Sequence, residues 1–186
     1  MTEYMRCKAC GYIMEASKLK DKCPACGVPA SQFEAFKPRM SEKRKRILDL
    51  HAHPVIVHFP QAFAAGLVII AILLAFIGEG AVKTALLGAA ASLSVSLPLF
   101  VLAAFAAGIL DGKIRFRKLR TPILVRKMII GALFFAFSLG GAAYGAFTGL
   151  GPGALLPFAL FELLSLGAGT LLGLLGSGLL EAGFPG

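Results

Sequence analysis

The sequence predicts a mainly α protein in which a small metal-binding ribbon precedes a four-helix transmembrane bundle. Three observations carry this prediction. All four cysteines fall in two close pairs within the first 26 residues. Long apolar stretches follow and raise the hydrophobic content of the 186-residue chain to 57% and its mean hydropathy to +0.78. The cations flank these stretches, with 11 of the 19 Lys and Arg in residues 1–53. This distribution is typical of membrane proteins with basic segments beside the bilayer.

The net charge of +9 predicts contact with anionic lipid headgroups and no binding of nucleic acid, because the cations flank apolar spans instead of forming one soluble face. The N-terminal Met1-Thr-Glu-Tyr lacks an apolar core and a cleavage site, so we expect no cleaved signal peptide. The first apolar span would serve as an uncleaved anchor. In a reducing compartment, closely paired cysteines indicate metal ligation rather than disulfides.

We assign residues 1–38 to a metal-binding domain. Cys7-Lys-Ala-Cys10 and Cys23-Pro-Ala-Cys26 are two CxxC turns separated by 12 residues. Two facing turns complete a tetrahedral site of four thiolates, which suits zinc as well as iron. Gly11 and Gly27 follow the turns, where positive φ lets backbone N–H groups point at the sulfurs. A domain this small needs its metal for stability.

Cys-x-x-Cys-Gly-Tyr-Ile at 7–13 and Cys-Pro-x-Cys-Gly-Val-Pro at 23–29, followed by Phe33 and Phe36, resemble rubredoxin-like modules, especially the short-spaced version that ends rubrerythrins. The resemblance covers about the first 38 residues. It implies one iron that cycles by one electron. The implied ligands are Cys7, Cys10, Cys23 and Cys26. A structural zinc ribbon with the same turns is the alternative. We expect Tyr12, Phe33 and Phe36 to form a small core over the metal.

Residues 39–53 are predicted to form a basic juxtamembrane linker and residues 54–181 a four-helix transmembrane domain. The four consecutive cations Lys43 to Arg46 would lie at headgroup level. Each apolar span is long enough to cross about 30 Å of hydrocarbon at 1.5 Å per residue. The spans lie near 55–77, 82–110, 123–147 and 154–180. Because the link 111–122 is densely cationic, the positive-inside rule places the cysteine domain, this link and both termini in the cytoplasm. We therefore expect a multi-pass protein of a bacterial or archaeal cytoplasmic (inner) membrane.

The motif from His53 to Pro60, His-Pro-x-x-Val-His-Phe-Pro, opens the first span, and Ala-Gly-Ile-Leu-Asp111 closes the second. Together they resemble the DUF2231 family of bacterial membrane proteins over about residues 51–180. The resemblance implies a fold and a location without an activity. Members of that family often carry a further histidine at the start of the third helix, where this chain has Arg126-Lys127.

All three histidines lie within residues 51–60. The predicted topology brings His53, His58, Asp111 and Arg126 together at the cytoplasmic face, where His53, His58 and Asp111 form a second candidate site. Such a group can bind a metal, bind a quinone headgroup or relay a proton. Haem b would require His58 with Met128, or His58 from two subunits, because no separate helix offers a facing histidine. Alternatively, His53 caps the first helix and His58 pairs with Asp111 to fix the bundle.

Glu162 is a membrane-embedded ionisable residue about 12 Å into the fourth span at 1.5 Å per residue. An ionisable group at this depth is costly and is a functional candidate, with a protonated carboxyl bound to a neighbouring helix as the alternative. Gly169 and Gly173 permit close helix approach. We expect them to pack within the bundle first and to offer a homo-oligomer face second.

The predicted function is membrane-anchored electron transfer, in which single electrons pass between a soluble redox partner protein and a membrane acceptor. The alternative is a zinc-ribbon docking module on a small membrane scaffold or transporter. The sequence offers no nucleophile–base constellation and no phosphate-binding glycine loop. We therefore assign no catalytic residues and expect an electron carrier rather than a catalyst.

Overall fold

The computed structural model describes residues 3–37, 41–116, 120–151 and 153–180. Some side chains within these ranges are not described, those of residues 42, 43, 45, 115, 116 and 178–180. Several predicted features therefore lie partly outside the described residues. They are the run of cations at 43–46, the link 111–122 and the predicted domain ends at 38 and 181. The described chain divides into two compact units. The N-terminal unit contains the residues up to Ile47 and also the described residues from Ser177 on, and the second unit spans Leu48–Gly176.

The N-terminal unit is a three-stranded antiparallel sheet. Its strands are β1 (Tyr4–Cys7), β2 (Ile13–Glu15) and β3 (Phe33–Phe36), in the order β2-β1-β3. The central strand β1 pairs Tyr4 with both Glu15 and Phe36 and delivers Cys7 at its end, opposite Phe33. The sheet therefore holds the first cysteine turn rigidly against the strand that follows the second.

The core of this unit differs from the expected aromatic set. Phe33 is buried as predicted, and Phe36 is half-buried. The expectation for Tyr12 was wrong, since this side chain is 43% exposed. Tyr12 lies in the first cysteine turn, where its carbonyl accepts a hydrogen bond from Cys7 N–H. Tyr4 is the second buried aromatic residue, because it begins the central strand.

The rest of the described chain is helical. Its helices are α1 (Glu42–Asp49), α2 (Ala52–Ile56), α3 (His58–Phe76), α4 (Ala81–Phe116), α5 (Pro122–Thr148) and α6 (Leu155–Leu180). Four helical segments are long and apolar enough to cross a membrane, which confirms the predicted number. They are Arg46–Phe76, Ala81–Ile114, Pro122–Thr148 and Leu155–Ser177.

The start of the first span departs from the expectation. The alternative in which His53 caps the first helix from outside is wrong, because α2 begins at Ala52 and contains His53. The residue before α2 is His51, whose left-handed backbone (φ 49°) turns the chain between α1 and α2. A second break follows Ile56, because Pro60 has no N–H for the Ile56 carbonyl and its ring would crowd that carbonyl. The first span is therefore built from several helical pieces.

The helix bundle has an apolar interior and an apolar exterior. Helix α4 packs against α3 and α5. The largest buried apolar side chains of the core are Leu67, Leu97, Phe134 and Phe158. Large apolar side chains also point outward, among them Phe147 at 90% exposed and Phe76 at 87%. Helices that are apolar all round suit a lipid surrounding rather than water.

The glycine pair of α6 is covered within the bundle. A Cβ added at Gly169 would lie 3.2 Å from the Phe134 ring on α5, and one added at Gly173 would lie 3.2 Å from Gln61 Nε2 on α3. Gln61 also donates a hydrogen bond to the Gly169 carbonyl (3.1 Å). These two glycines therefore accommodate side chains of the same chain.

Candidate metal centre

Two cysteine turns of the same backbone construction form the centre. In the first, Cys7 N–H donates to the Tyr12 carbonyl (2.8 Å) and Gly11 N–H to the Cys7 carbonyl (2.9 Å). In the second, Cys23 N–H donates to the Val28 carbonyl (2.8 Å) and Gly27 N–H to the Cys23 carbonyl (2.9 Å). Gly11 and Gly27 have φ of 75° and 78°, a conformation that glycine adopts without steric cost. The two turns thus present their cysteines in equivalent ways.

The four sulfurs lie at distances that suit a metal ion. All four Sγ atoms are within 4.8 Å of one another, and the Cys7–Cys26 and Cys10–Cys23 pairs are each 3.8 Å apart. A disulfide requires about 2.05 Å between sulfurs, so the cysteines are free. A tetrahedron of sulfurs about 2.3 Å from a central ion has edges of about 3.8 Å. The donor set and its spacing therefore fit one tetrahedral ion, either iron or zinc.

The two thiols of the second turn, Cys23 and Cys26, differ in pKa. Burial raises the pKa of the Cys23 thiol, but the N–H groups of Cys26 and Ala25 donate to its sulfur and bring that pKa down to about 7. For Cys26, the N–H of Val28 lowers the pKa, while the neighbouring Cys10 thiol, burial and the other cysteines raise it to about 12. Within this turn, the Cys23 thiol therefore ionises more readily than the Cys26 thiol.

Burial also differs between the first and second cysteine of each turn. Cys7 and Cys23 are buried, Cys10 is half-buried and Cys26 is exposed. Cys7, Cys23 and Phe33 form the buried cluster of this unit, against which Met5, Met14, Leu19 and Val28 pack. One edge of the four-sulfur site is thus sealed by the small core, while the other reaches the surface.

The helical unit contains a second group of polar residues, and it differs in membership from the predicted one. Gly108 lies on α4, one turn before Asp111. A Cβ added at Gly108 would lie 2.9 Å from the His53 ring. Lys127 on α5 is partly buried and interacts electrostatically with Asp111. His53, Asp111 and Lys127 therefore converge at one end of the bundle, whereas Arg126 is exposed.

The other two histidines face outward. His58 is exposed, and its Nδ1 lies 2.6 Å from the Pro54 carbonyl one turn earlier. His51 is also exposed, with its Nδ1 2.7 Å from the Asp49 carbonyl. Sequence reasoning missed Lys127 because the adjacent Arg126 carries the same charge, and only the rotation of α5 decides which of the two enters the bundle.

Glu162 lies fully buried on α6 against the backbone of α5. A Cβ added at Gly141 would lie 2.5 Å from Glu162 Oε1, so glycine is required for this approach. Two buried serines were not singled out by the sequence analysis, namely Ser138 and Ser165. The available signal was that each is an isolated hydroxyl residue within an apolar span.

Comparison with known proteins bears on the N-terminal unit alone. The family model described as the rubredoxin-like domain of rubrerythrin matches residues 6–34, which include all four cysteines. Residues 6–34 thus form a rubredoxin-like domain with a four-cysteine site for a metal ion, and four apolar helices follow it. No curated protein and no solved structure matches the chain significantly.

Proposed function

We propose that the protein is a membrane-anchored electron carrier of the rubredoxin type, which passes single electrons between a soluble partner protein and a redox acceptor in the membrane. The observation that carries the proposal is the set of four thiols at tetrahedral spacing in a rubredoxin-like domain. The same chain continues into four helices able to cross a bilayer. A redox module and an anchor in one chain would keep the electron at the membrane surface.

The cysteine residues would hold one iron ion, the proposed cofactor. When bound, iron in a four-thiolate set supplies a reversible one-electron couple. The N–H groups of Ala25, Cys26 and Val28 donate to the sulfurs and would stabilise negative charge there, which tunes the potential. The exposed Cys26 offers the soluble partner a short path to the centre.

The visible absorption spectrum of the purified full-length protein tests the iron assignment. Ferric iron bound by four thiolates absorbs strongly in the visible through charge transfer from sulfur, and the bands should bleach on reduction. Cys23→Ser should abolish them, whereas Ser17→Ala, in the same domain but outside the four-sulfur site, should leave them unchanged. A colourless protein that contains zinc alone after expression in iron-replete cells would overturn electron transfer.

The zinc outcome would support the second candidate, a zinc-ribbon docking module on a small membrane scaffold or transporter. The observation that favours it is the sulfur spacing itself, because a zinc ion takes the same tetrahedral set. Zinc has no redox chemistry, so the domain would then act by folding and by binding a partner. Metal analysis of the same preparation separates the two candidates.

The membrane half is proposed to be a DUF2231-like domain of a bacterial or archaeal inner membrane, with both termini in the cytoplasm. The support is the motif from His53 to Pro60, the four spans and the cations of the link 111–122. A tag on the N-terminus should be reached by antibody in inside-out vesicles and not in intact spheroplasts. The opposite pattern would reverse the proposed orientation.

The polar end of the bundle, formed by His53, Asp111 and Lys127, is proposed as the place where a quinone acceptor would bind. An imidazole and an ammonium group can hydrogen-bond a quinone carbonyl, and the neighbouring carboxylate can orient them. His53→Ala should then slow reoxidation of the reduced protein by a quinone analogue without loss of metal. His58→Ala, at the exposed histidine, is the matched control.

Haem b would be a different acceptor. A Soret band in the spectrum of the purified protein that is lost in His58→Ala would place haem b at His58 instead.

A further inference from the structure

The middle of the helix bundle contains a layer of buried polar side chains in an otherwise apolar interior. In the described chain, the buried polar and charged residues are Ser94, Ser138, Glu162 and Ser165. They come from three different helices. Glu162 and Ser165 lie one turn apart on α6 and therefore share a face of that helix.

The contacts between α5 and α6 set the level of these residues. The pairs that meet are Gly145 with Phe158, Gly141 with Glu162, Phe134 with Gly169 and Lys127 with Gly176. Each step down α5 is matched by an equal step up α6, as an antiparallel pair requires. In this register Ser138 lies level with Ser165, one turn from Glu162. Two fully buried hydroxyl groups thus flank the carboxyl group on the same side.

Helix α4 adds oxygen atoms at about the same level. Gly131 on α5 contacts the Phe105 ring on α4, so Ser94 lies about level with Ala142. Pro98 has no N–H for the Ser94 carbonyl, and the Ser94 hydroxyl donates to Ala91 O (3.1 Å) rather than to that carbonyl. Helix α4 therefore adds the buried Ser94 hydroxyl at about this level.

Within the described part of the chain, both carboxyl oxygens of Glu162 and the hydroxyl of Ser165 have no hydrogen-bond partner. The Ser138 hydroxyl donates to Phe135 O (2.9 Å), which leaves its oxygen free to accept. Opposite Glu162, α5 presents Gly141, which offers no side-chain donor. Among the described residues of α3 to α6, Tyr144 is the one other titratable side chain within two turns of this level. An ionised, unpartnered carboxylate in this setting is strongly disfavoured.

We propose that this layer is a binding site for a small monovalent cation, either H⁺ or Na⁺, which Glu162 takes up and releases. The site is rich in oxygen acceptors, carries one acidic group and lacks a protein cation, so a small positive ion is the ligand whose chemistry it matches. Glu162 supplies the charge, and Ser165 and Ser138 supply hydroxyl oxygens. The inference is independent of the metal in the cysteine domain.

Infrared spectroscopy of the full-length protein in liposomes tests the site, because the carbonyl stretch of a protonated carboxyl group is resolved without any need for probe access. The band should be present at low pH, disappear as the pH rises, and be absent from Glu162→Gln. If Na⁺ is the ligand, added Na⁺ should remove the band at lower pH than the same concentration of choline does. If H⁺ alone is the ligand, Na⁺ and choline should give the same curve.

Two serine variants provide the control. In the proposed site the Ser165 hydroxyl would rotate to donate to the carboxylate once Glu162 is ionised. In Ser165→Ala the band should therefore persist to about one pH unit higher, the equivalent of one charge-assisted hydrogen bond. Ser92→Ala, on the exposed side of α4, should not move it. This shift also assigns the band should Glu162→Gln fail to fold. Two outcomes would overturn the proposal and make Glu162 a permanent structural group. One is a band that neither pH nor Na⁺ changes, and the other is the absence of the band at every pH, with or without Na⁺.

Discussion

Gly27 shows how a single residue shapes the cysteine site. Its φ of 78° is in the left-handed region, and a Cβ built there would meet no atom within 4 Å. The need for glycine is therefore conformational rather than steric. The conformation aims the N–H of Gly27 at the Cys23 carbonyl and allows the next N–H, that of Val28, to reach Cys26 sulfur.

We predict that Gly27→Ala destabilises the metal-bound domain by about 1–2 kcal/mol, the cost of a left-handed conformation in a residue with a Cβ. Gly27→Asn is the matched control and should cost less, because asparagine tolerates this conformation through local hydrogen bonds. The rate of metal loss to a chelator measures the difference. Equal loss rates in the two variants would show that the backbone conformation is not what stabilises the turn.

The cysteines of the N-terminal unit were predictable from the sequence, but its buried aromatic residues were predictable only in part. The four cysteines were identified from spacing, because two CxxC turns constrain their own backbone. The aromatic core was only partly predicted. Tyr12 stands next to a ligand turn in sequence and is exposed, whereas Tyr4 is buried because the strand pairing places it between Glu15 and Phe36. Pairing between distant strands is not encoded in local composition.

At the scale of elements, the contact between α4 and α5 depends on a missing side chain. A Cβ at Gly131 would lie 2.8 Å from Cδ2 of the Phe105 ring, too close for two helices to keep their present separation. Gly88 on α4 is the opposite case, since a Cβ there would meet nothing within 4 Å. Gly131 is therefore needed for close helix packing, whereas Gly88 is not.

We expect Gly131→Ala to destabilise the bundle by about 1–3 kcal/mol, the usual cost of overpacking. Gly88→Ala should instead be neutral or stabilise it by up to about 1 kcal/mol, because alanine is the better helix former. Thermal unfolding in detergent, followed by the helical circular dichroism, distinguishes them. If both variants unfolded at the wild-type temperature, the Gly131–Phe105 contact would not limit helix packing.

The helices themselves were largely predictable from hydropathy. At most ends, the four expected spans lie within a few residues of the four long apolar helical segments. The exception is the first span, which the structure extends back to Arg46 through the short helices α1 and α2. The break after Ile56 follows from Pro60. The left-handed conformation of His51 was not predictable from the sequence, because a residue other than glycine adopts it only rarely, although histidine does so more often than most.

At the scale of the whole molecule, the two compact units depend on different sources of stability. The N-terminal unit has a buried cluster of Cys7, Cys23 and Phe33, which is too small to offset the entropy of folding without a metal. The helical unit has an extended apolar core and backbone hydrogen bonds satisfied within each helix. The stability of the first should follow the metal, and that of the second should not.

Removal of the metal by a chelator under reducing conditions should unfold the N-terminal domain and leave the helices intact. The expected signature is rapid proteolysis within the first 37 residues with almost unchanged helical circular dichroism. Cys23→Ser should reproduce this behaviour without a chelator. Collapse of the helical signal together with the metal would show that the bundle requires the folded cysteine domain.

Spacing and hydropathy were enough to predict the four cysteines that could hold a metal ion, the four helices long and apolar enough to cross a membrane, and the rubredoxin-like character of residues 6–34. These properties are local, because ligand turns are defined by spacing over a few residues and a span by hydropathy over about 20. The packing of the helices, in contrast, determines that His53 and Lys127 rather than His58 and Arg126 enter the bundle, and that Ser138 and Ser165 flank Glu162. Those outcomes depend on how each helix is rotated and in which register it packs, and helices that are apolar all round carry almost no periodic signal that would reveal either.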